Sequence, residues 1–138
     1  MIRYAQVSLC LIAVLAACDD PFSPTVANVS GSYHATTLLV TDSAGVTDYL
    51  AIGSSITLQL DAAGTVSGHL LIVGGNEGGG DLEADMVGTW ALAGDTVSFD
   101  QTADTFVRDW GFKAGERRLT MDHTGGGVTV NLVLTKQS

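Results

Sequence analysis

Four carboxylates, Glu77, Asp81, Glu83 and Asp85, fall within nine residues of a glycine-rich stretch that opens with Gly74-Gly75-Asn76. Oxygen donors on flexible backbone are what calcium takes. In an extended segment Asp81, Glu83 and Asp85 project from one face, where Glu77 could join them. The spacing departs from the EF-hand loop, which needs glycine at its sixth position. A solvated hairpin loop explains the same residues, its glycines supplying positive φ and its acids keeping a strand edge soluble. Calcium at Glu77 to Asp85 stays an open alternative, and no metal or other cofactor is assigned. His34, His69 and His123 stand singly, without the paired spacing of a zinc site.

Nucleophilic catalysis needs a positioned hydroxyl or thiol, a base and an orienting acid, and no Gly-x-Ser-x-Gly elbow occurs. Paired carboxylates could serve a glycosidase, but a small domain leaves little room for an extended substrate groove. The chain reads as a non-enzyme. Its aromatic residues say more. Phe106, Arg108, Trp110 and Phe112 alternate, so an extended strand would place them on one face, either filling a core or walling a pocket. With Trp90, Phe99 and Tyr49 they could line a site for a small hydrophobic molecule, since such sites are mostly apolar with few polar groups. Arg108 among them would meet a carboxylate head group. The candidate ligand-binding residues are therefore Trp90, Phe99, Phe106, Arg108, Trp110 and Phe112.

The elements that must position them are strands. Ile56, Leu58 and Leu60 alternate with Ser55, Thr57, Gln59 and Asp61, while Val128, Val130, Leu132 and Leu134 alternate with Thr129, Asn131, Val133 and Thr135. Period two with one apolar face is the signature of a half-buried strand. Turn residues stand where the runs stop, at Asp61-Ala62-Ala63-Gly64, Ala93-Gly94-Asp95, Lys113-Ala114-Gly115-Glu116 and Thr124-Gly125-Gly126-Gly127. About eight or nine strands result, spaced as in sandwiches and barrels. Leu82 to Met86 suits either a strand or one helical turn, and Gly88 excludes a long helix there. Sequentially linked short strands hide their edges best by closing into a ring. The fold expected is all-β, an antiparallel up-and-down barrel.

Hydrophobic residues make up 46% and charged residues 15% of the 138 residues, which excludes general disorder. Arg3 is the only charge before Asp19 and precedes an apolar run from Ala5 to Ala17, the pattern of a signal peptide. The run is short of the roughly 20 residues that span a bilayer. The junction Leu15-Ala16-Ala17-Cys18 resembles the lipobox of bacterial lipoproteins. That resemblance implies cleavage after residue 17 and attachment of a diacylglycerol and palmitate-type acyl chains to Cys18. Two chains give durable anchoring where one does not. Asp19 then stands where such sorting systems read the membrane, with the choice of inner or outer membrane left open. Residues 18–28, with Pro21 and Pro24, read as the lipidated cysteine and a flexible tether, and residues 29–138 as the barrel domain. Cys10 leaves with the leader, so the mature domain would hold no thiol free to act. The formal net charge is −9, and no basic residue lies between Asp19 and Val107. Nucleic acid, which needs clustered Lys and Arg, is excluded as a partner.

Gly31-Ser32-Tyr33 at the first strand resembles the Gly-x-Trp opening of lipocalins with tyrosine for tryptophan, and Gly88-Thr89-Trp90 repeats the pattern mid-chain. With the strand order from Val29 to Lys136, the chain is similar to the small lipocalin-like domains of bacterial lipoproteins. The resemblance implies a cell-envelope barrel binding a small hydrophobic molecule. It also implies a basic side chain packed across the opening aromatic, for which Arg108 and Arg117 are candidates by cation–π contact with Tyr33 or Trp90. Lipocalins carry a helix after the barrel, whereas only Lys136, Gln137 and Ser138 follow the last alternating run here. The alternative is a non-enzymatic structural or interaction module with a solid core. Barrels of about eight strands do either.

Overall fold

The computed structural model describes residues 21–138, so the expected signal peptide and the expected lipid attachment at Cys18 lie outside the described residues. The alternating segments form ten strands, β1 (Gly31–Asp42), β2 (Gly45–Asp48), β3 (Ser55–Leu60), β4 (Thr65–Ile72), β5 (Leu82–Asp85), β6 (Gly88–Ala93), β7 (Thr96–Gln101), β8 (Phe112–Gly115), β9 (Arg118–Gly125) and β10 (Val128–Lys136). Two single-turn helices, α1 (Val26–Val29) and α2 (Phe106–Asp109), accompany them.

Every pairing is antiparallel, and eight strands close a ring in the order β1, β3, β4, β6, β7, β8, β9, β10 and back to β1. The expected up-and-down barrel is what forms, with β2 and β5 as additional strands. β2 prolongs a hairpin on the far end of β1. β5 continues the line of β6 along β4, because His69↔Asp85 and Thr65↔Thr89 share one register and the Met86 N–H donates to the Gly68 carbonyl between them at 2.9 Å. Leu82 to Asp85 is thus a strand and no helical turn: Leu82 and Ala84 are half-buried while Glu83 and Asp85 face solvent.

Alternation then sorts side chains. Ile56, Leu58 and Leu60 of β3, Leu70 of β4, Leu119 of β9 and Leu134 of β10 point inward and are all but inaccessible. Phe99 and Phe112 meet edge to face at 5.6 Å inside the ring, and Trp90 is 6% exposed. These side chains join one contiguous hydrophobic core inside the ring. Each fully buried side chain of this size contributes about 1.5–3 kcal/mol, which suits a domain whose described residues include no cysteine.

At the lower end, where β1 begins and β10 ends, α1 straps the ring. Thr25 and Asn28 form a capping box around it, and Lys136 Nζ donates to the Asn28 carbonyl at 2.9 Å. Residues 26–29 are helical because Thr25 and Asn28 satisfy free N–H groups at that turn. Tyr33 Oη donates to the Val29 carbonyl at 2.6 Å, and burial pushes its phenol up to about 12. Trp90 Nε1 donates to the Asp61 carbonyl at 2.8 Å. Both aromatics of the repeated tripeptides thus anchor turns at this end. The basic side chain that reaches the first strand is Lys136, which lies over Gly31, and neither candidate arginine takes that place. Arg117 donates to the Lys136 carbonyl and Ser138 Oγ, both at 3.1 Å, and Arg108 sits at the opposite end among aspartates.

The glycines of the pattern have a packing cause. A Cβ at Gly88 would drive into the carbonyl of Asp100 on β7, and one at Gly68 into the carbonyl of Thr57 on β3. Backbone cannot yield as a side-chain tip can. Gly88→Ala is therefore expected to destabilise the barrel by about 1–3 kcal/mol, read as a lower denaturation midpoint with an unchanged slope.

Candidate functional site

The upper end of the barrel is covered by the segment that joins β7 to β8. A strand over Phe106 to Phe112 is what the alternation predicts, but residues 106–109 are helical. Thr105 enters in extended backbone, Arg108 pairs with Asp104 four residues back, and the Trp110 N–H donates to the Phe106 carbonyl at 3.2 Å. On a helical turn Phe106 and Trp110, four apart, share a face. Arg108 leaves that face and is held by Asp104 and by Asp109, the latter at 3.2 Å. Val107, fully buried, pins the turn to the barrel.

Beneath this turn lies an apolar cleft of about 180 Å³, walled by Phe106, Trp110, Tyr49, Leu38 and Val40 of β1, Ile72, Leu82 and Val130. Trp110 is braced by stacking on His123 with ring centroids 4.0 Å apart, and Phe106 leans on Trp110 at 5.7 Å. A void of roughly 150 Å³ admits benzene, whereas drug-sized ligands need about 300 Å³ or more. The cleft has room for one ring or a short acyl chain.

Of the six residues singled out from sequence, Phe106 and Trp110 line the cleft. Trp90, Phe99 and Phe112 are packed in the barrel interior, and Arg108 faces its aspartates. Leu38, Val40, Ile72, Leu82 and Val130 line the cleft as well. Their only sequence signal is an inward-facing position at the upper end of a strand.

The acidic stretch is organised differently from a calcium loop. Asp81 Oδ1 accepts from the Gly74 N–H at 2.9 Å, and Asn76 Nδ2 donates to the Asp81 carbonyl at 2.6 Å. Among the described residues no three histidine, cysteine or acidic side chains converge to hold a metal ion. Glu83 and Asp85 instead flank His69 on the outer face of β4, with Nε2 to Glu83 Oε1 at 2.8 Å and Nδ1 to Asp85 Oδ1 at 3.2 Å. His34 is elsewhere, near Gln137.

The hydrogen bond to Asp85, then that to Glu83, raises the His69 pKa. A histidine pKa raised by folding contributes stability that is complete below the unfolded value and lost as pH rises through the folded one. The His69 contribution to thermal stability should therefore stay level from about pH 5 to the ordinary histidine range and fall as pH rises above it, as melts between about pH 5 and pH 9 would read. In His69→Gln this slope should flatten.

Comparison with protein-family models, with curated proteins and with solved structures returned no match to this chain. The barrel stands on its own strand order.

Proposed function

We propose that this protein is a membrane-tethered envelope lipoprotein whose barrel binds one small hydrophobic molecule at its upper rim. The observation that carries the reading is the apolar cleft under α2, walled by the rings of Tyr49, Phe106 and Trp110 and set above the buried core of the barrel. The tether is supported by the leader alone, with Arg3, the apolar run and Leu15-Ala16-Ala17-Cys18. Metabolic labelling with palmitate should mark the wild-type chain and leave Cys18→Ala unmarked.

An occupant of about ten heavy atoms, at about 0.5 kcal/mol each, would bind with a Kd on the order of 0.1–1 mM. Trp110 reports on the cleft directly. In a Trp90→Phe background its emission should shift on titration with toluene, and Trp110→Ala, followed by calorimetry, should weaken toluene binding about tenfold or more. Unaltered Trp110 emission at saturating toluene would remove the cleft as a ligand site.

The packed interior favours one further reading, in which the rim receives an apolar side chain of another envelope protein. Toluene would then bind as a fragment of that side chain. Cross-linking from a photoreactive residue at position 110 would capture a protein in place of a small molecule.

A further inference from the structure

Three aromatic residues, Tyr49, Phe106 and Trp110, line the rim cleft, and no lining side chain is charged. The rings reach it from separate segments: Tyr49 directly follows β2, while Phe106 and Trp110 come from the α2 turn. Trp110 is fixed by its contacts with Phe106 and His123, at centroid distances of 5.7 Å and 4.0 Å. A purely apolar guest would be held as well by leucine or isoleucine. What rings add is a quadrupole with a negative face, which attracts a cation brought within about 6 Å of the ring centre.

The charges of the barrel are sorted in the same sense. Of the five lysines and arginines among the described residues, Lys113, Arg117, Arg118 and Lys136 belong to the lower end, where β8 and β10 finish and β9 starts. The fifth, Arg108, is taken up by Asp104 and Asp109. Exposed acids stand next to the cleft walls in the chain: Asp48 directly precedes Tyr49, Asp81 precedes Leu82 and Asp109 precedes Trp110. A mouth flanked by one sign of charge draws guests of the other sign and turns away carboxylates.

The kind of cation follows from the lining. An ammonium group with N–H donors must find acceptors when it leaves water, and no carboxylate lines the cleft. A quaternary ammonium has no N–H to satisfy, and its charge is spread over methyl groups that pack against rings. Its trimethylammonium head is no wider than a benzene ring, and a cleft of about 180 Å³ exceeds the roughly 150 Å³ void that admits benzene.

We infer that the rim cleft is an aromatic cage for a small quaternary ammonium compound without an anionic group, its methylated head set among Tyr49, Phe106 and Trp110. The inference rests on the cleft being a ligand site. It gives that site a cation in place of the carboxylate expected opposite Arg108.

Choline and neohexyl alcohol share one shape and differ in a charged nitrogen against a neutral carbon. Titrated calorimetrically into the wild-type protein, choline should bind about tenfold tighter than neohexyl alcohol. Phosphocholine, which carries the same head on a lipid-type phosphate, should bind more weakly than choline because its phosphate meets the acids at the mouth. Trp110→Leu should bring the ratio of choline to neohexyl alcohol affinity close to one, and Tyr49→Leu should lower the same ratio if Trp110→Leu does not fold. Neohexyl alcohol binding as tightly as choline, phosphocholine as the tightest ligand, or a ratio unchanged in both variants would overturn the inference, while toluene binding would keep the cleft reading intact. Binding of neither choline, neohexyl alcohol nor toluene would overturn both.

Discussion

The pairing of β1 with β10 is the constraint on which everything else here depends. β1 is twelve residues long and meets β10 along most of its length, with one register shift between Ala35 and Thr37. On its other side it meets β3 near its start and β2 near its end. Without the first contact the sheet would carry two open edges and no inside. With it, alternation along every strand acquires a meaning, because one set of side chains faces a closed interior and the other faces water. The contiguous buried core and the close backbone approaches at Gly68 and Gly88 follow from ring closure at this small circumference.

Much of this was legible in sequence, and the reasons for the failures are physical. β3 and β10 were readable because period two along Ser55–Leu60 and Val128–Lys136 is clean and each strand has one wet face. The α2 segment was not, because a spacing of four residues fits a strand and a helix equally well. Phe106 and Trp110 share a face in either conformation, and only Arg108, two residues along, distinguishes them. In the helical turn Val107 is buried and Arg108 pairs with Asp104. The cleft itself was hidden for another reason. Whether an inward residue such as Ile72 or Val130 packs or lines free space depends on what covers the end of its strand, and that cover is the misread segment.

The same distinction explains the charged and polar residues. Glu83 and Asp85 could be placed on one face from spacing alone, but their partner His69 is supplied by the register between β4 and β5, which no local pattern encodes. Gln101 follows Val97 and Phe99 on the inward face of β7. Its burial is a property of the ring, and its lack of a partner becomes visible only once the neighbours are in place.

The two ends of the barrel are specialised in opposite senses. Helix α1 enters at the lower end, fixed by Tyr33 and Lys136, while α2 and its cleft occupy the upper. The described chain therefore begins beside the pole farthest from the opening. A support joined at that pole, be it lipid, bead or fused partner, leaves the aperture pointing outward and unobstructed.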